Sequence, residues 1–361
     1  MTKVSRGRLA QRASFRTTTR VDTRGRRGLR SGSVGRASFA VVVVALLVPR
    51  AAGADVNDLV LSRLATQVDD GAGNVRFVPQ NADLRSLASE LGVVLAPHML
   101  TPADTIGFGG FQFTVDYATT TIDPNAAYWR AREGSPDPAG AGGAAHGPGS
   151  LTTVGLFARK GMWFPIPAFE VGAGAVHLVD SKVWSAQLYA KLALHEGYHQ
   201  LPLPSVAVRG GVSRMMSQRE LDLTVASVDV MVSKHFGIGG TWRLDPFVGW
   251  NVLLVIPRSE VIDPTPQVDS LVMGNEADSQ LNFVFKDQDN IVRQRFVVGA
   301  KVQYYVVQLT VEASFALAGN SIDDRSGTTD RCMPQSDTTN CDAKDAASAQ
   351  RTLSFSAGVD F

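Results

Sequence analysis

Apolar side chains recur at every second position over long stretches of this chain, and this period constrains the fold more than any other feature. Between Trp184 and His195, one phase reads Trp, Ala, Leu, Ala, Leu, Leu and the other reads Ser, Gln, Tyr, Lys, Ala, His. Successive side chains of a β-strand point to opposite faces of the sheet, so this strand has one apolar face and one mixed face.

Ten segments share the alternation, and most are longer than the usual strand of about five or six residues in a soluble sheet. A strand that crosses a bilayer needs about nine to eleven residues. The predicted strands lie near 106–120, 151–161, 166–178, 183–196, 204–215, 220–235, 240–256, 292–304, 306–318 and 351–361. The pattern predicts an all-β fold, a closed antiparallel transmembrane β-barrel of about ten strands, with eight or twelve as alternatives. A secreted or periplasmic β-sandwich would show the same alternation, because alternation does not tell lipid from core.

The connections between the predicted strands differ in length according to the side on which they fall. If the first strand runs outward, all the long connections lie on one side and all the short ones on the other. The long ones are 121–150, 257–291 and 319–350, and the short ones lie near 162–165, 197–203, 236–239 and 305. Long loops on one side, short turns on the other and an even number of strands are typical of outer-membrane barrels.

Residues 1–54 differ from the rest of the chain in charge. They hold Lys3 and eleven Arg against one acidic residue, for a net charge of +11, and the remaining residues carry −10. The uncharged run Ala37–Val48 has the length of a signal-peptide h-region, and Ala52, Gly53 and Ala54 supply small residues for cleavage. We predict a signal peptide over residues 1–54, cleaved after Ala54.

The segment 55–105 is expected to form an N-terminal region with one helix in front of the barrel domain, residues 106–361. Apolar residues at three-to-four spacing and two candidate N-caps indicate the helix. The apolar residues are Leu84, Leu87, Ala88, Leu91, Val94 and Leu95, and the candidate caps are Asn81 and Asp83. Such a helix is expected to plug the lumen or to lie on the periplasmic side, and the sequence leaves both open.

The two cysteines, Cys332 and Cys341, lie in a polar stretch. Because the predicted signal peptide directs the chain to an oxidising compartment, we expect them to form a disulfide that staples a loop. Two thiols by themselves do not complete a zinc site.

The stretch His195-Glu196-Gly197-Tyr198-His199 matches the H-E-x-x-H pattern of zinc proteases. That chemistry needs both histidines on one helix, whereas here the motif ends a predicted strand. On a strand the two histidines would stand about 13 Å apart, at roughly 3.3 Å per residue. Glu220 is a third ligand only by its distance in sequence. We therefore expect a strand end and a turn, no metal and no catalytic residue, with a zinc protease as the third hypothesis.

The mixed phase of the predicted strands carries the charges that would line the lumen. Its basic residues are Arg159, Lys191, Arg209, Arg243, Arg295 and Lys301, and its acidic residues are Asp116, Glu170, Asp229, Asp245, Glu312 and Asp360. Six of each sign are expected to pair inside a narrow barrel, because buried charges need partners. A barrel of about ten strands is nearer the side-chain-filled limit than the wide porins.

The final segment alternates up to an aromatic residue at its end. It resembles the C-terminal strand of bacterial outer-membrane β-barrel proteins of Gram-negative cells, in which a terminal Phe after alternating apolar residues is read by the barrel-assembly machinery. The matching positions are Leu353, Phe355, Ala357, Val359 and Phe361. The resemblance implies location in the cell outer membrane. It also implies lipid and lipopolysaccharide as surroundings, and the assembly machinery and periplasmic chaperones as partners during biogenesis.

These expectations leave three functional hypotheses of different classes. The first is a narrow pore or small-solute transport barrel, and the second is a structural or surface-binding barrel without transport. The third is an enzyme, either the zinc protease already described or a barrel hydrolase. No cofactor is expected. The net charge of +1 argues against a nucleic-acid partner, because phosphate binding requires a concentrated positive field.

Overall fold

A computed structural model describes residues 55–69, 75–136, 147–164, 166, 168–197, 203–269, 271–323 and 343–361. The predicted signal peptide, Cys332 and Cys341 lie outside the described residues. No helix in the described part of the chain is long and apolar enough to cross a membrane.

The described chain contains a short hairpin, one α-helix and a set of long strands. The hairpin is β1 (Ala65–Asp69) with β2 (Val75–Pro79), and the helix is α1 (Asn81–Leu95). The strands that follow are β3 (Phe111–Thr121), β4 (Ser150–Met162), β5 (Phe169–Leu178), β6 (Trp184–His195), β7 (Ser205–Met216), β8 (Leu221–Ser233), β9 (Phe236–Ile238), β10 (Trp242–Ser259), β11 (Ile291–Tyr304), β12 (Val307–Ala316) and β13 (Gln350–Asp360). Short 3₁₀ helices occupy Leu61–Leu64, Ala127–Ala131 and Glu276–Leu281.

Ten of these strands close into an antiparallel barrel. Each barrel strand pairs with its neighbour in the chain, β10 pairs with β11, and β13 returns to pair with β3. The short strand β9 pairs only with the beginning of β10. The predicted all-β, closed, ten-strand antiparallel barrel with a short helical segment is confirmed.

The first barrel strand begins later than the alternation indicated. Residues 106–110 were expected to start it, but β3 begins at Phe111. Gly107 and Gly109 adopt positive φ angles of 77° and 84°, a backbone conformation that favours glycine and is incompatible with a strand. Periodicity does not show such a turn, because glycine fits either phase.

The two ends of the barrel differ. The described parts of the connections 122–149, 260–290 and 317–349 lie at one end, together with the turns 179–183 and 217–220, and we call it the long-loop end. The described parts of the connections 163–168, 196–204, 234–241 and 305–306 lie at the other, the short-turn end. This separation follows from ten consecutive antiparallel strands.

The N-terminal segment packs at the long-loop end. The backbone N–H of Asn57 donates to Asp180 O at 2.8 Å, and that of Leu61 donates to the Glu220 carboxylate at 3.2 Å. Both acceptors belong to the turns of this end. The helix α1 follows and enters the barrel mouth, so of the two positions left open for it, a place inside the barrel is the one observed.

The helix is buried on almost every side. Its apolar residues pack against apolar residues on the inner face of the barrel near the long-loop end, among them Leu151, Leu178, Leu223, Val225, Leu253, Val255 and Ile291. Gly92 allows this close approach, since a Cβ atom there would lie 2.4 Å from a methyl carbon of Val255. The inner face is therefore apolar beside α1 and charged nearer the short-turn end.

Neither candidate cap residue caps the helix. Asn81 is the first helical residue, and its Oδ1 accepts from the backbone N–H of Lys286 at 2.9 Å. Asp83 forms an ion pair with Arg130 at 2.7 Å. The capping prediction was wrong because tertiary partners on the long connections engage both side chains.

Candidate functional site: the filled lumen

The charged residues expected in the lumen all lie on the buried phase of their strands. Ten of the twelve are buried, and Arg243 and Asp360 are partly buried at the short-turn end. Several pair with each other: Lys191 with Glu170 at 3.1 Å, Arg159 with Asp116 at 3.7 Å, Arg243 with Asp245 at 2.6 Å and Lys301 with Asp360 at 3.3 Å. Arg209 and Asp229 form an ion pair in which both side chains are fully buried.

The segment 96–110 runs through the lumen from the end of α1 to the start of β3, and we call it the strap. In its first part, wall residues bind its backbone. Arg209 donates to His98 O at 2.8 Å, and Arg295 donates to Pro97 O at 2.7 Å. The carboxylate of Glu312 accepts from the Leu100 N–H at 2.6 Å. The lumen charges thus hold a polypeptide as well as each other.

The second part of the strap is held in the same way nearer the short-turn end. The Lys191 ammonium donates to Pro102 O at 3.2 Å and to Asp104 O at 2.9 Å. The Ile106 N–H donates to the Glu170 carboxylate at 3.2 Å. Buried carbonyl and amide groups of an irregular segment need such partners, because an unpaired buried polar group costs free energy.

The wall leaves room for the strap at Gly249. A Cβ atom at this position would lie 2.6 Å from the sulfur of Met99, which is fully buried. A residue with a Cβ atom here would require the Met99 side chain to move. Sequence reasoning missed the strap; its only signal is the absence of alternation between α1 and β3, where Pro97 and Pro102 interrupt the chain.

The long connections form a folded cap with the N-terminal segment, and we define the cap as residues 55–95 with the described parts of 122–149, 260–290 and 317–349. Its polar centre is Glu90 of α1. This carboxylate accepts from the Tyr128 hydroxyl at 2.6 Å, the Trp129 indole at 2.7 Å and the Ser348 N–H at 2.9 Å. One side chain therefore connects the helix to two long connections.

A second set of contacts holds the helix to the other connections. Arg85 donates to Asp289 O and to the Ser321 hydroxyl, each at 2.9 Å. Ser89 donates to the Asp345 carboxylate at 2.7 Å. All three long connections thus contact α1.

Burial raises the pKa of the Glu90 carboxyl above its ordinary value, although its three donors and the nearby Arg293 charge act in the opposite direction. The folded state therefore binds this proton more tightly than the unfolded chain. The resulting contribution to stability is fully present below the unfolded pKa of about 4.3 and is lost as the pH rises through the raised value.

Through Glu90, we expect the urea midpoint of the cap to be lower at pH 8 than at pH 4. Glu90→Gln is expected to reduce this dependence of the midpoint on pH. Urea midpoints from tryptophan fluorescence across this pH range, for the wild type and the variant in the same detergent, measure the effect. A variant that keeps the wild-type slope would contradict the assignment to Glu90.

The H-E-x-x-H stretch lies at the short-turn end. His195 is the last residue of β6 and its ring contacts Pro204 O at 3.0 Å, while His199 lies outside the described residues. The Glu196 carboxylate accepts from the Thr105 N–H at 3.1 Å and the Thr105 hydroxyl at 2.5 Å, so it binds the strap. Glu220 lies at the opposite end of the barrel. Among the described residues no group of three or more His, Cys, Asp or Glu is placed to hold a metal ion.

The five residues of the expected assembly signal lie on or next to β13. Four of them, Leu353, Phe355, Ala357 and Val359, face away from the lumen. Phe361 pairs with Phe111 through two backbone hydrogen bonds of 2.8 and 3.0 Å, which extends the closure between the last and first barrel strands.

Comparisons with known proteins show only remote similarity. No protein-family model matches the chain, and no curated protein matches it in sequence. Among solved structures, the chain is similar to the outer-membrane expressed OmpT of Vibrio cholerae, with 7% identity and a TM-score of 0.25, over 58% of this chain and 56% of that one. An in-vitro folded form of the same protein gives 7% identity and a TM-score of 0.23, over 59% and 56%. The chain thus aligns with little more than half of either structure.

Proposed function

We propose that the protein is a sealed outer-membrane β-barrel that carries the cap at its outer mouth, and that it acts as a structural or surface-binding barrel. The observation that carries this proposal is the filled lumen: α1 occupies one end, and the strap is hydrogen-bonded to the wall along the rest. The narrow pore, the first of the sequence-based hypotheses, would require the strap to leave these partners.

The outer surface of the barrel supports a membrane location. Large apolar side chains that face away from the lumen are exposed on nearly every barrel strand, while the twelve charged residues expected in the lumen face inward. They include Val115, Tyr117, Leu156, Leu188, Val212, Val228, Val248, Trp250, Phe296, Val298, Leu309, Val311, Leu353 and Phe355. Apolar surface exposed on this many strands favours aggregation in water, whereas lipid provides it with an apolar environment.

Aromatic residues at one edge of the apolar surface support the same location. Exposed aromatic side chains gather at the short-turn end, as in the interfacial girdles of membrane barrels. They are Phe108, Phe111, Trp163, Phe164, Phe236, Trp242, Tyr304, Tyr305 and Phe361. Outer-membrane lipid and lipopolysaccharide are accordingly the proposed surroundings, and the assembly machinery and periplasmic chaperones the proposed partners in biogenesis.

The orientation follows from the loop lengths. Outer-membrane barrels place their long loops outside the cell and their short turns in the periplasm. This orientation puts the cap at the outer mouth of the barrel, with its long connections on the cell surface and α1 inside the mouth. The protein is proposed to have no enzymatic activity, since Glu196 is engaged by the strap and Glu220 lies at the other end of the barrel.

An epitope tag inserted after Met273, which is 93% exposed, is expected to bind antibody on intact cells. The matched control is the same tag between Gly239 and Gly240 in a short turn, which should bind antibody only after the outer membrane is permeabilised. The reverse result would contradict the orientation. Recovery of the protein in the soluble periplasmic fraction would contradict the membrane location.

A further inference from the structure

A cavity of about 380 Å³ lies at the short-turn end of the lumen, beside the second part of the strap. Its size is in the range of about 300–1,000 Å³ that small-molecule sites occupy. Charged groups of both signs line it: Lys191, Arg243, Lys301, Asp104, Glu170 and Asp360. No part of the cap or of the assembly signal requires this space, except that Phe361 lies at its edge.

Two hydrogen-bond acceptors of residues that line this cavity have no donor among the described residues. Asp104 is 3% exposed, and its Oδ1 atom has no hydrogen-bond partner among the described residues. The Oε1 atom of Gln303, a partly buried residue, also has no hydrogen-bond partner among the described residues. Buried oxygen atoms without partners are uncommon in folded proteins, because each costs free energy unless a water molecule or a ligand satisfies it.

The donors stand close to these acceptors. The Lys301 side chain is buried, and its ammonium group contacts the Asp360 carboxylate at 3.3 Å. An ammonium group has three N–H donors. Arg243 reaches Asp104 at 3.4 Å, which places a guanidinium beside the carboxylate with the unpartnered oxygen. A cationic and an anionic half thus share one cavity.

We propose that this cavity binds a small zwitterion of amino-acid to dipeptide size. Its carboxylate is bound by Lys301 and Arg243, and its ammonium group by Asp104 Oδ1 and Gln303 Oε1. A simple anion would leave both acceptors without a donor, and a simple cation would leave Lys301 without a second acceptor. A ligand with both groups satisfies each half without adding net charge to a buried site.

The probe is dialanine, titrated by calorimetry into the full chain refolded in detergent micelles. Lactate carries only the carboxylate and alaninamide only the ammonium, and each is expected to bind at least about tenfold more weakly, since a charged hydrogen-bonded contact is lost. Equal binding of lactate would overturn the proposal in favour of an anion site, and equal binding of alaninamide in favour of a cation site. No heat with dialanine would also overturn it and leave a water-filled cavity.

Two variants test the residues. Lys301→Met and Gln303→Leu are each expected to weaken dialanine binding about tenfold. Gln303→Leu keeps the proposal testable if Lys301→Met does not fold, as judged by the shift in gel mobility on boiling. The control is Lys160→Met, an exposed lysine at the same end whose ammonium contacts Gly109 O at 2.9 Å. Unchanged binding in folded Gln303→Leu, or equal loss in the control, would overturn the assignment.

Discussion

Replacing Arg209 by alanine is expected to lower the free energy of unfolding of the barrel by about 3 to 5 kcal/mol, the usual cost of removing one partner of a buried ion pair. Arg209 and Asp229 are both fully buried, and Asn251 also donates to that carboxylate. Without Arg209, the Asp229 carboxylate is left buried without its ion-pair partner. The guanidinium also lies 5.0 Å from the centre of the Tyr189 ring, so its packing is lost as well.

The control for this prediction lies on the same strand. Arg214 of β7 pairs with Asp222 at 2.8 Å, but its side chain is 66% exposed. An exposed pair contributes about 0 to 1 kcal/mol, so Arg214→Ala is expected to change stability little. Urea unfolding in detergent micelles, followed by gel mobility without boiling, compares the two variants. Equal losses for the two would contradict a special role for the buried pair.

The same variant tests whether the lumen is sealed. Arg209 also donates to the carbonyls of His98 and Met99, so its removal releases the middle of the strap. We expect wild-type protein to show no steady conductance in planar bilayers, Arg209→Ala to show discrete openings, and Arg214→Ala to remain closed. Steady discrete conductance of the wild type would support the narrow pore and contradict the sealed barrel.

The second large effect is expected at the centre of the cap. Trp129→Ala is expected to weaken docking of connection 122–149 by about 3 to 5 kcal/mol, because it removes a large buried ring and leaves a cavity. Trp129 is 1% exposed, and its indole donates to Glu90. When the connection is no longer docked, Arg132, which is fully buried in the wild type, becomes accessible to trypsin. Mass spectrometry of the tryptic fragments measures the rate of cleavage after Arg132.

Two further variants make this result specific. Trp129→Phe keeps most of the apolar volume and loses the hydrogen bond, so we expect an intermediate rate of cleavage. Trp163→Ala removes an exposed tryptophan at the short-turn end and is expected to leave cleavage after Arg132 unchanged. Cleavage at the wild-type rate in Trp129→Ala would show that the ring does not hold the connection.

The sequence was most informative where local geometry decides the structure. The alternation of β6 follows from chain geometry, so period two alone predicts that Leu188 and Lys191 lie on opposite faces of the sheet, as they do. The number of barrel strands and the separation of long from short connections followed in the same way. The start of β3 did not, because Gly107 and Gly109 form a turn through their backbone angles.

The candidate site was less predictable because its contacts join distant parts of the chain. Lumen charges were expected to pair with each other, yet Arg209, Arg295 and Glu312 bind backbone groups of the strap. Their partners lie roughly a hundred or more residues away and are carbonyl or amide groups, which every residue has. No pattern of residue types shows which backbone a buried charge will bind.

By itself, the sequence determined long strands that carry apolar side chains on one face and charges on the other, because alternation in a strand is a local property of the backbone. Only the tertiary structure decided that the lumen is filled. The helix α1 and the strap carry no signal for their position, and they lie inside because the apolar and charged parts of the inner wall each offer them partners. That choice depends on contacts between residues far apart in the chain, such as Glu90 with Tyr128 and Ser348.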